Sequence, residues 1–286
     1  MRSEQEMFDL ILGFARLYER IRAVWMNGSR ANPEAPRDIW QDYDIVYVCQ
    51  DVLPFVQDKT WLPYFGKMVV CQEPDASVLF DDVLRPSVRY AYLMQFADGT
   101  RIDLTLLSLE EAQKQYGSDS LTVPLLDKDG LLKPVPATSD RDYRVKKPTE
   151  PQYDNCCNEF WWCAPYVVKG LLRREPLYAL DMMNSAVRPM LLLMLDWLAG
   201  VQTDFSVCTG KCGKYLDRYL PKETFQRLLA TYPAADSGSI QAALTEMWLL
   251  FDETARSVGQ ALGYEYHSAE ADGSRTLMTG WLSGGI

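Results

Sequence analysis

The sequence holds a single histidine, His267, set in a polar C-terminal stretch. That scarcity argues against Ser-His-Asp and Cys-His catalysis and against histidine-ligated zinc. Long apolar runs are missing too: the most apolar stretch, residues 190–195, is closed by Asp196, far short of the roughly 20 residues needed to cross a bilayer. The N-terminus has acids ahead of and within its first apolar stretch and lacks a basic leader and a small-residue cleavage site, so no signal peptide is expected. There is no CxxC spacing among the seven cysteines, and an odd set without that spacing fits neither a disulfide framework nor a zinc site. A reducing cytoplasm is the expected compartment. GxGxxG is absent, and Gly210-Lys211-Cys212-Gly213-Lys214 has neither the spacing nor the Ser/Thr of a phosphate-binding P-loop. Positive charge is in deficit, with Lys+Arg 29 against Asp+Glu 39 and a net charge of −10. Such a chain offers no field for a phosphate backbone or an anionic membrane, so neither nucleic acid nor membrane is expected as a partner, and a cationic small molecule is favoured.

What is present is an ordinary globular composition, 48% hydrophobic and 24% charged over 286 residues, long enough for two domains at roughly 150 residues each. Met7, Ile11, Phe14 and Tyr18 fall at helical spacing, and residues 21–26 and 43–49 read as β-branched, aromatic strands. Residues 69–72 form a shorter strand, and residues 88–96 and 101–107 flank Asp98-Gly99 as a hairpin. Residues 134–151 carry the prolines and polar residues of a connector. Beyond it the apolar pattern turns helical over residues 155–172, 176–198, 224–232 and 239–262. The reading is an α+β chain: a mixed-sheet domain over 1–150 and an all-α domain over 151–286.

With histidine scarce, carboxylates must carry the chemistry, and one constellation stands out: Gly28-Ser29-Arg30, then Asp42-Tyr43-Asp44 at the mouth of a strand, then Asp103 in Arg101-Ile102-Asp103-Leu104-Thr105. Side chains two apart on a strand share a face, which sets Asp42 and Asp44 about 6–7 Å apart along the backbone and aims both one way. Hard oxygen donors without histidine fit Mg²⁺ better than zinc. Asp103 joins them if its strand lies beside that of Asp44. Glycine at Gly28 lets backbone N–H groups and the Ser29 hydroxyl approach a phosphate closely.

The wording around these residues is more specific. MNGSRANPEAPRDIWQDYDIVYV, DGTRIDLTLLSLEE, CCNEFWWCAPYVVKGLLRREPLYA and TDFSVCTGKCGKYLDRYLP resemble the aminoglycoside 6-adenylyltransferases, within the nucleotidyltransferase superfamily related to DNA polymerase β. The resemblance runs over residues 7–262. It implies an N-terminal nucleotidyltransferase mixed sheet followed by a C-terminal helical bundle, with the substrate cleft between them. It also implies transfer of AMP from ATP, with one or two Mg²⁺, to the 6-hydroxyl of streptomycin, releasing pyrophosphate and inactivating the antibiotic. On the matching positions, Ser29 touches the triphosphate, Asp42 and Asp44 ligate metal, and Asp103 is the third carboxylate.

Other residues are assigned around that frame. Arg30 and Arg37 lie beside the triphosphate loop. Lys169, Lys211 and Lys214 are candidates for the ATP phosphates. Glu159 with Trp161 or Trp162 is a candidate cation platform for the acceptor. Asp103 either completes the metal shell or takes the proton of the attacking hydroxyl, with Glu159 or Asp181 as the other candidate base. The enzyme is expected to act as a monomer. A same-fold enzyme acting on another aminocyclitol or a protein, and a non-catalytic nucleotide-binding module, are the rival readings.

Overall fold

The structure is a computed structural model that describes residues 1–76 and 86–284. The chain divides into two compact units, Met1–Asp142 and Tyr143–Ile286. The division falls inside the expected connector but ahead of 150/151, because the end of that connector is already the start of a helix. Thr149 and Gln152 form a capping box there, with Pro151 in the first turn, where its missing N–H costs nothing.

The first unit begins with α1 (Glu4–Leu17), whose Ser3 cap and buried stripe Met7, Ile11 and Phe14 lay it on the sheet. Then come β1 (Ile21–Met26), β2 (Tyr43–Cys49), the short α2 (Leu53–Gln57), β3 (Met68–Gln72), β4 (Arg89–Phe96), β5 (Arg101–Ser108), α3 (Leu109–Gln115) and β6 (Val123–Asp127). The six-stranded sheet has the order β3-β4-β5-β2-β1-β6. All neighbours are antiparallel except β2 and β5, which run parallel. The expected hairpin around Asp98-Gly99 is present as β4–β5. Strand β6 was not expected: VPLLD is brief, partly exposed and carries Pro124, as an edge strand can.

Strand β2 is buried on both faces. Tyr43, Ile45, Tyr47 and Cys49 enter the core that α1 covers, and the Tyr47 hydroxyl donates to the Ile11 carbonyl at 2.7 Å. Val46 and Val48 point the other way, into a smaller cluster with Ala23, Trp25 and Leu107. By strand alternation Asp44 and Asp103 belong to that second face. They are the polar ends of rows that become apolar farther along.

The second unit contains α4 (Glu150–Leu172), α5 (Pro176–Met182), α6 (Arg188–Gln202), α7 (Lys222–Ala230), α8 (Ser237–Leu262) and α9 (Ser268–Leu282). The sequence reading of residues 176–198 as one helix is corrected by a π-helical turn, Met183–Val187, between α5 and α6. Phe160 of α4 stacks on Phe251 of α8 at 3.7 Å between centroids, at the centre of this core. Helix α9 was missed because it buries only Ala271 and Met278, too few to show a period. Among the described residues, no helix is long and apolar enough to cross a membrane.

Candidate active site

The parallel pairing of β2 with β5 sets the site. Its register makes Asp44 and Asp103 direct partners, with Tyr43 beside Ile102. The expected neighbourhood of Asp103 and Asp44 is therefore what the sheet provides, and Asp42 lies two positions before Asp44 on the same side.

Gly28 closes the other side of Asp44. Its φ of +74° is left-handed, and a Cβ at this position would lie 2.0 Å from the Asp44 Oδ2. The turn is held by Asn27 N–H donating to Asp44 O at 2.9 Å and Ala31 N–H donating to Gly28 O at 3.1 Å. Only glycine satisfies both the torsion and the contact. Gln41 donates its amide to Ser29 O at 3.2 Å, while its Oε1 is buried without a partner.

Electrostatically the cluster is short of positive charge. Burial first, and then the charges of Asp103 and Asp42, push the Asp44 carboxyl up to about 6, with Arg101 opposing them. Asp42 is also raised, chiefly by burial, with Arg101 opposing. Arg101 is the residue of this cluster to which the sequence reading gave no role. Its Nε and Nη2 grip both Asp103 oxygens at 2.7 and 2.8 Å, and its Nη1 lies 3.5 Å from Asp42. The signal was there, because an arginine two before an aspartate on a strand shares its face.

Arg101 also engages one member of the expected three-aspartate metal set. With Asp103 held as a bidentate ion pair, no group of three or more His, Cys, Asp or Glu side chains forms a closed metal cage among the described residues. Asp42 and Asp44 nevertheless form an all-oxygen pair, mutually repelling and partly desolvated. That donor set fits Mg²⁺, which is commonly held by one or two carboxylates with substrate phosphates and water completing its shell.

Several other expected residues have different occupations. Arg30 is only 7% exposed; it donates to the Gln41 and Asp42 carbonyls at 2.8 to 3.2 Å and lies 3.9 Å over the Tyr43 ring. It fastens the loop into β2 and borders the same cavity as Asp42 and Arg101. Arg37 is exposed and lines a cavity of about 450 Å³ together with Asp42 and Arg101. The platform of Glu159 with Trp161 or Trp162 is not assembled: Trp161, two positions on from Glu159, faces elsewhere, and Trp162, three positions on, borders a different cavity from Glu159. Trp161 is core, 4% exposed with its indole N–H on the Tyr266 hydroxyl at 3.0 Å. Trp162 is 66% exposed and borders an aromatic groove with Lys169, whose ammonium sits 5.2 Å from the Tyr166 ring. Glu159 instead lines a different cavity, of about 730 Å³. Asp181 is exposed on α5 and lines neither of these. Lys211 and Lys214 lie in and beside a short helical turn, and neither borders the Glu159 cavity. All seven cysteines are free, and burial pushes Cys49 and Cys157 up to about 12, so neither is a nucleophile at neutral pH.

Two predictions follow from this geometry. Gly28→Ala drives a methyl group into the Asp44 carboxylate and forces a left-handed alanine, so activity should fall at least a hundredfold in a folded protein, read by turnover and circular dichroism. Retention of a tenth of the activity would contradict the contact. Asp44→Asn should stabilise the protein in chelator. A carboxyl with a folded pKa of about 6 against a usual 3.8 binds more protons folded than unfolded between those values, so wild-type stability falls as pH rises through that window. The variant should therefore gain on the order of 1–3 kcal/mol at pH 7 and little at pH 4, measured by denaturant titration. An equal effect at both pH values would refute the electrostatic account.

Comparison with known proteins gives the family of the chain. The profile of the streptomycin adenylyltransferase family matches residues 1–280. An aminoglycoside 6-adenylyltransferase of Campylobacter jejuni is 41% identical over 266 residues, 93% of this chain and 91% of its own length. One from Bacillus subtilis (strain 168) is 40% identical over 267 residues, 93% of each chain. A crystal structure of an aminoglycoside 6-adenyltransferase from Bacillus subtilis covers 99% of both chains at 36% identity, with a TM-score of 0.49. The chain belongs to the streptomycin adenylyltransferase family, and with it to the nucleotidyltransferase enzymes.

Proposed function

We propose that this enzyme transfers AMP from ATP to the 6-hydroxyl of streptomycin, releasing pyrophosphate and inactivating the antibiotic, with Mg²⁺ required. The observation that carries this reading is the pairing of Asp44 on β2 with Asp103 on β5, with Asp42 just ahead of β2, beside the Gly28-Ser29 turn. In this reading Met1–Asp142 binds the nucleotide and the helical unit binds the acceptor. The enzyme works as a monomer in the cytoplasm.

Each residue has a separate task. Asp42 and Asp44 would hold Mg²⁺, which when bound neutralises phosphate charge. The Gly28 backbone and the Ser29 hydroxyl receive the triphosphate, since no Cβ keeps it away. Asp103 fixes the Arg101 guanidinium next to Asp42, so a permanent positive charge stands where negative charge grows during attack on the α-phosphorus. Arg30 keeps the loop before β2 closed, so that Asp42 does not wander from Asp44.

Incubation with ATP, Mg²⁺ and a panel of aminoglycosides, read by product mass and pyrophosphate release, tests the proposal. Streptomycin should gain one AMP, chelator should abolish the reaction, and zinc alone should not restore it. Asp42→Asn should lower turnover at least a hundredfold, roughly 2.7 kcal/mol in the barrier. Modification of a different aminocyclitol or of a protein, with streptomycin untouched, would overturn the acceptor. Full activity in chelator would overturn the metal site.

A further inference from the structure

The cavity of about 730 Å³ in the helical unit contains a carboxylate that nothing in the fold explains. Its walls include Glu159 of α4 and Asp196 and Trp197 of α6. Asp196 interrupts a helix that otherwise reads MLLLMLDWLAG, where an apolar residue would pack without cost. Its Oδ1 is buried and has no hydrogen-bond partner, and no described lysine or arginine forms an ion pair with it. Among the described residues the group that supports its charge is the buried Thr209 hydroxyl, and desolvation raises its pKa. A buried carboxylate oxygen without a donor is costly, and a structural aspartate would be paired.

The orphan atom needs a donor, and its surroundings say which kind. Two carboxylates and an indole around one cavity attract a cation, and the strong partners of a carboxylate are charged N–H donors. Lys146 and Lys147 border the same cavity. A polycation would therefore settle toward Asp196 and Glu159 and away from that wall, which gives the ligand a direction as well as a place. Tyr143 and Arg144 lie on that wall as well and have interactions of their own.

We propose that Asp196 is an acceptor-binding residue whose half-buried carboxylate receives a guanidinium or ammonium group of the acceptor, in the cavity it shares with Glu159. The inference rests on the proposed function for the identity of the acceptor, but binding can be read without turnover.

The test is Asp196→Asn in the full-length protein, which keeps the size and removes the charge. Streptomycin and, separately, a simple diguanidinium compound are titrated calorimetrically without nucleotide, and melting temperatures are recorded. Affinity for both cations should fall at least tenfold, with the melting temperature unchanged or raised and with ATP affinity within twofold. In turnover, KM for the acceptor should rise while KM for ATP stays. Cation affinity within twofold of wild type would overturn the assignment. So would a lowered melting temperature with parallel loss of ATP and cation binding, which would mark a structural carboxylate. Asp196-dependent binding of the diguanidinium compound, together with no AMP transfer to any aminoglycoside, would sink the proposed function and leave this site standing.

Discussion

Repulsion among Asp42, Asp44 and Asp103 is the constraint around which the first unit is arranged. Three carboxylates at the mouth of a parallel strand pair cannot all be ionised at low cost, and burial makes the cost greater. Arg101 relieves part of it by taking both oxygens of Asp103 and standing 3.5 Å from Asp42. Asp44 has no ion pair of its own and feels Arg101 only at longer range, and it lies so close to Gly28 that a Cβ there would collide with its Oδ2. The apolar remainder of the same face, with Val46, Val48, Trp25 and Leu107 packed together, keeps the strands from parting under this load. A cation arriving at Asp42 and Asp44 would meet a site that already lacks positive charge, so binding and relief of strain coincide.

The loop before β2 shows the same logic in reverse. Arg30 is buried, yet its donors meet backbone carbonyls and the face of Tyr43, and Glu4 lies 3.5 Å away. Its charge is spent on holding residues 41 and 42 in place. An arginine adjacent to a phosphate-binding turn invites the reading of a phosphate ligand, but the side chain turns back under the loop. In the helical unit, Arg188 is used similarly, donating to the Thr231 hydroxyl and carbonyl and stacking 3.6 Å from the Tyr232 ring centroid. Both arginines organise backbone, whereas Asp44 and Asp196 make no ion pair among the described residues.

Sequence periodicity alone located α1, β1, β2, the β4–β5 hairpin and the long helices, because each buries a regular stripe. It failed where burial was slight or irregular, as in edge strand β6, in α9, and at the π-turn that splits residues 176–198. The Asp42-Asp44 pair and Gly28 were legible because strand alternation and the needs of a tight turn are local rules. The Glu159–Trp platform was misread because Trp161 turns into the core and Trp162 borders a different cavity from Glu159, which depends on what packs beside α4.

The chain by itself thus determined its α+β class, its reliance on carboxylates, and, through the wording of its motifs, its family. Those properties depend on residue type and short-range spacing. Only the tertiary structure decided that Asp103 pairs beside Asp44, that Arg101 grips both Asp103 oxygens, and that Asp196 keeps a buried oxygen without a partner. Each of these depends on which distant segments are brought into register or packed together, and neither spacing nor composition encodes that contact directly.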